Sequence, residues 1–137
     1  MAGFVLILHS YNVYLVLAAA LITGIWGLVL YFTSRKNKDM AVIPRSWSIL
    51  LRVTAALGLL QGLFGVIMVI FGLKPGSGTG LYYLHYVYGG IVALVIPLAY
   101  LSYTTGGKNP RRDVLIYSIA LLILVAAGIR AWMTGPA

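Results

Sequence analysis

Four apolar runs, broken only by isolated polar positions, alternate with short polar segments: Phe4 to Phe32, Ser46 to Leu73, Leu81 to Thr105 and Val114 to Met133. A helix rises ~1.5 Å per residue and the hydrocarbon core of a bilayer is ~30 Å thick, so about 20 apolar residues suffice for one crossing. Each run meets that length. The intervening segments carry helix-stopping residues: Pro44 precedes Ser46, a predicted N-cap for the second helix, and the segment from Lys74 to Gly80 is rich in turn residues. Connections this short force successive spans into antiparallel neighbours. The pattern therefore predicts an all-α membrane protein, an antiparallel up-down-up-down bundle of four transmembrane helices. It forms one domain over residues 1–137, with spans of about 4–32, 46–73, 81–105 and 114–133.

Within the spans, Gly58 and Gly62 have the GxxxG spacing that lets helices approach closely, and Pro97 predicts a kink in the third helix. Asp113 at the head of the fourth run suits the positive end of a helix dipole. Aromatic residues sit at both ends of the first run (Tyr11, Tyr14, Trp26, Tyr31) and at the start of the third (Tyr82, Tyr83, Tyr86, Tyr88), as in interfacial belts.

Composition sharpens this picture. Of 137 residues, 61% are hydrophobic and 9% charged, against roughly 25% charged in a soluble domain. The net charge of +8 is not a nucleic-acid signal, because it is sorted by loop. Arg35, Lys36, Lys38 and Arg45 lie between the first two spans and Lys108, Arg111 and Arg112 between the last two, whereas the middle connection holds only Lys74. The positive-inside bias then places both basic loops in the cytoplasm and both termini outside, in what is expected to be a bacterial plasma membrane. Anionic lipid headgroups are natural partners of such loops. The absence of cysteine excludes disulfides, thiolate metal sites and covalent haem attachment. The first run lacks a basic leader and is about twice as long as a signal-peptide core, which predicts a retained span.

The two histidines, His9 and His85, carry the candidate chemistry. Each lies roughly one turn to a turn and a half below the outer end of its span, in helices that run the same way on a diagonal of the bundle. Ionisable groups at such depth mark sites with a partner. Two level imidazoles can supply both axial ligands to a haem iron, leaving no open position and favouring electron transfer. Gly89, one turn beyond His85, and Gly24 and Ala20, on the face of His9, are expected to leave space for a bulky ring; so are Gly62, Gly65 and Gly128 on the flanking helices. Arg130 and Lys74, the outer cations, are placed to meet two propionates.

With His9 and His85 as its axial pair, this layout resembles the bis-histidine membrane cytochromes b, including the four-helix haem modules of the cytochrome b561 type and of haem A synthases. The resemblance implies a non-covalent haem b on His9 and His85, with Gly89, Gly65, Arg130 and Lys74 around it. It also implies an electron-carrying role beside other membrane subunits or an electron-transfer partner. Members of that group often carry two histidine pairs, whereas this chain has one, which argues against a relay across the whole bilayer. A quinol is a candidate donor, with Gln61 or an outer tyrosine as its hydrogen-bond partner.

Two other functions compete. A non-catalytic subunit of a membrane complex would use its apolar helices for packing alone. A copper site would draw on Met68 and Met133 beside the histidines, since thioethers and imidazoles suit Cu(I). Hydrolase, phosphoryl-transfer and zinc chemistry lack parts: the two acidic residues, Asp39 and Asp113, sit at the opposite ends of the spans from both histidines. The glycine-rich connection also lacks the Lys-Ser/Thr ending of a phosphate loop.

Overall fold

A computed structural model describes residues 2–34, 40–75 and 82–134. Arg35, Lys36 and Lys38 of the first basic segment, and Leu81 at the expected start of the third span, lie outside the described residues. The four helices are α1 (Ala2–Thr33), α2 (Arg45–Ile70), α3 (Tyr83–Ser102) and α4 (Pro110–Thr134). Each is long and apolar enough to cross a membrane, and large apolar side chains such as Phe4, Ile22, Leu63, Val66 and Leu98 face outward. The protein is an integral membrane protein, an antiparallel four-helix bundle.

The helix ends differ from expectation for local reasons. Pro44 has extended backbone (φ −56°, ψ 132°) and its carbonyl accepts the Ser48 N–H, so α2 begins at Arg45 and Ser46 is already inside the helix rather than its cap. At the other end α2 stops at Ile70, not Leu73. Gly72 takes φ 80°, and paired bonds from Gly72 N–H to the Val69 carbonyl and from Leu73 N–H to the Met68 carbonyl close the helix. Helix α3 ends at Ser102 because the N–H groups of Tyr103 and Thr104 both turn back to the Ala99 carbonyl.

Helix α4 starts four residues before Val114. Asn109 caps it by accepting the Arg112 N–H on Oδ1 at 3.2 Å, and Pro110 takes the first helical position, where its missing N–H costs nothing. Asp113, 1% exposed, turns its carboxylate back into the preceding loop. It accepts from Thr105 N–H and Thr105 Oγ1, both at 2.8 Å, and from Gly107 N–H at 3.0 Å. Arg111 ties this end to α1, donating to the main-chain carbonyls of Ser34 and Tyr31 while its guanidinium stacks 3.8 Å from the Tyr31 ring centre.

Each helix packs on its chain neighbour and α1 closes the ring against α4, leaving α1 and α3 facing across a diagonal. The core is held together where side chains are missing. A Cβ on Gly58 would stand 2.8 Å from the Val92 carbonyl oxygen, and one on Gly62 would stand 2.8 Å from Ala93 Cβ. The GxxxG spacing therefore does set the closest approach of α2 to α3. Lower in the bundle, the fully buried Trp47 donates its indole N–H to the Thr23 carbonyl at 3.0 Å. Gly27 makes room there for Trp47 and Ser118.

Candidate functional site

His9 and His85 meet inside the bundle. Their ring centres are 6.0 Å apart and their planes are inclined at 61°, so the two side chains are level across the α1/α3 diagonal, as the sequence predicts.

The two imidazoles are held differently. His85 places Nδ1 2.7 Å from the Ala131 carbonyl oxygen in α4. A carbonyl only accepts, so Nδ1 carries the proton, and in the neutral ring Nε2 is the nitrogen with the lone pair. His9 is reached instead through a chain of amides from α2. Asn12 Nδ2 donates to the Leu57 carbonyl at 3.1 Å and to Gln61 Oε1 at 2.9 Å. Gln61 Nε2 then donates to the His9 main-chain carbonyl at 3.1 Å and stands 3.4 Å from His9 Nε2. Because Leu57 and His9 offer acceptors at the two ends, both amides have a fixed orientation. Asn12 and Gln61 are 6% and 7% exposed. His9 Nδ1 is buried with no hydrogen-bond partner and, among the described residues, is the one buried side-chain nitrogen or oxygen in that condition.

The neighbours sort into two groups. Gly65 lies against His9, its absent Cβ 3.8 Å from His9 Cε1, and a Cβ on Gly89 would meet nothing within 4 Å. At Gly65 a Cβ would thus meet His9 at ordinary contact distance, whereas Gly89 faces open space. Gly24, Gly62 and Gly128 are closed by neighbouring side chains. Leu121 and Leu122 fill the first, Ala93 the second, and Leu17 Cδ2 comes within 2.5 Å of a Cβ on Gly128. Ala20 is fully buried. In a bilayer, helices close onto small residues rather than leave a void, so these four positions serve packing.

Lys74 and Arg130 both sit over tyrosine rings of the third segment. Lys74 Nζ is 5.7 Å from the centre of Tyr82, and the Arg130 guanidinium is 5.7 Å from that of Tyr88. Tyr82 and Tyr88 lie about one helical turn on either side of His85, so the two cations bracket its level on α3. Met133 is exposed at 59%, and no group of three or more His, Cys, Asp or Glu side chains that could hold a metal ion occurs among the described residues. Gln61, a candidate quinol partner from the sequence, has its amide engaged by Asn12 and His9.

No family model matches this chain, and no curated protein or solved structure matches it.

Sequence reasoning did not connect Asn12 and Gln61 to His9. One signal was present: Asn12 follows His9 by three residues and so shares its helix face. The Ala131 carbonyl carried no signal, because main-chain acceptors have no side-chain signature.

Proposed function

We propose that this protein is a membrane cytochrome that holds one non-covalent haem b between His9 and His85 and carries electrons near the end of the bundle opposite its basic loops. The observation that carries this reading is the 6.0 Å separation of the two rings. Two imidazoles that faced one metal from opposite sides, with metal–nitrogen bonds of ~2 Å, would have their ring centres about 6 Å apart. The residues present fit the group in one further respect: ligand histidines usually donate their second nitrogen to a carbonyl or carboxylate, as His85 does to Ala131.

A haem with two imidazole ligands takes up and releases one electron and keeps no position open for a substrate. The chain's own residues do the rest. Ala131 holds His85 in one tautomer, and Gln61 with Asn12 restrains His9 from α2. Gly65 lies against His9 and Gly89 carries no side chain one turn beyond His85, while Lys74 and Arg130 would provide positive charge for two propionates. The apolar spans exclude water from the buried Asn12 and Gln61 amides, which strengthens their hydrogen bonds. The proposed setting is a bacterial plasma membrane with both termini outside, next to other membrane subunits or an electron-transfer protein. A quinol is the candidate donor.

The test is the absorption spectrum of the purified protein, oxidised and dithionite-reduced, for wild type, His9→Ala and His85→Ala. A low-spin b-type spectrum in the wild type, lost in both variants although both insert in the membrane, is expected. A colourless wild type after growth with added haem precursor, or an unchanged low-spin spectrum in either variant, overturns the assignment.

A further inference from the structure

A groove on the outside of the bundle runs from about the level of His85 to the basic end of the molecule. It lies open between α3 and α4, has a volume of about 610 Å³, and is lined along α3 by Val87, Gly90, Leu94 and Leu98 and along α4 by Ile119 and Ile123. Its lining is apolar until Tyr103 at the basic end. The α3 side spans residues 87–103, about 24 Å at ~1.5 Å per residue, whereas one leaflet offers roughly half of a ~30 Å core. A hydrocarbon chain lying in it would be straightened against the helices.

The charge at the basic end identifies the occupant. Arg111 and Arg112 are adjacent but serve different elements: Arg111 is clamped to α1 through Ser34 and Tyr31, while Arg112 Nη1 donates to the carbonyl of groove-lining Tyr103 at 3.1 Å. That bond uses one of five guanidinium N–H groups and fixes the exposed cation at the groove mouth. The neighbouring acid, Asp113, has its carboxylate buried on Thr105 and Gly107 and so is engaged away from Arg112. Lys108, also exposed, belongs to the same loop. An apolar trough with cations at one end only is complementary to an amphiphile with an anionic head and a long hydrocarbon chain.

We infer that the α3/α4 groove binds one acidic glycerophospholipid, with its phosphate on Arg112 and Lys108 and an acyl chain along the groove. The site is independent of the haem reading, since it shares no residue with the histidine pair.

The experiment is native mass spectrometry of the full-length protein released from nanodiscs of equal parts dioleoyl phosphatidylglycerol and dioleoyl phosphatidylcholine. One retained phosphatidylglycerol per chain, in preference to phosphatidylcholine, is expected. Each basic residue near a charged surface contributes roughly a fivefold factor, so the double variant Lys108→Gln/Arg112→Gln should lose on the order of 25-fold in retention. Gly90→Leu should also lower retention, because Gly90 lines the groove and a Cβ there meets nothing within 4 Å; helix content by circular dichroism checks that the variant folds. Arg45→Gln, in the other basic segment, should retain the lipid as wild type does. Equal retention of the two lipids by the wild type, undiminished retention in the double variant or in Gly90→Leu, or an equal loss in Arg45→Gln would each overturn the site.

Discussion

Gln61 donates from Nε2 to the main-chain carbonyl of His9 at 3.1 Å, and the same nitrogen stands 3.4 Å from the imidazole Nε2. One amide on α2 therefore restrains both the backbone and the ring of a residue on α1. Loss of a group that orients a ligand histidine typically costs 10- to 100-fold in affinity. Gln61→Leu keeps the volume and removes the amide, so haemin titration of the apoprotein should show a loss in about that range while helix content is retained. Unchanged affinity would show that Gln61 has no part in presenting His9.

The cations over Tyr82 and Tyr88 lead to an electrical prediction. If the proposed haem is bound, positive charge near it would favour the reduced, less positive state and raise its midpoint potential. Arg130 is exposed, so solvent and salt weaken its influence; with ~59 mV per tenfold change, Arg130→Gln should lower the potential by on the order of 20 to 60 mV. Arg52→Gln, near the basic end of α2, should leave it almost unchanged. Redox titration followed at the α band compares the two, and a larger shift from Arg52→Gln would place the haem at the wrong end of the bundle.

Two glycines should respond oppositely to alanine. At Gly58 a Cβ would press on the Val92 carbonyl at 2.8 Å, and backbone cannot swing aside as a flexible side chain can. Gly58→Ala should therefore destabilise the bundle by about 1 to 3 kcal/mol. Gly90→Ala meets nothing within 4 Å and gains up to ~1 kcal/mol of helix propensity. Unfolding in mixed micelles would separate them; equal behaviour would mean that α2 and α3 do not approach as described.

Topology is testable because the chain contains no cysteine, so an introduced thiol is unique. Cysteines at Lys108 and Gly78 should be labelled from opposite faces of the membrane, with Gly78 reactive from outside. Reaction of both from one face would contradict four crossings.

The fold was legible in the sequence because membrane crossing depends on length and apolarity, which the four runs display without any tertiary information. The errors fall where a single local bond decides. Pro44 started α2 before Ser46, Gly72 ended it before Leu73, and Asn109 with Pro110 started α4 ahead of Val114. The pairing of His9 with His85 followed from depth and topology alone. The space around them did not, because a glycine reads the same whether it leaves a void or admits a neighbouring helix. Gly89 faces open space and Gly65 lies against His9, whereas Gly24, Gly62 and Gly128 are closed by Leu122, Ala93 and Leu17.

The acceptor that fixes His85 belongs to Ala131, near the end of the fourth helix, and that helix is also the one that packs on α1 and seals the ring. During synthesis, His9, Gln61 and His85 all enter the bilayer before this carbonyl exists. A nascent chain with three helices inserted has both imidazoles but no means of choosing the tautomer of the second. The fourth helix thus turns two separate histidines into a matched pair, and for the proposed haem, cofactor loading should follow insertion of α4 rather than accompany that of the earlier helices.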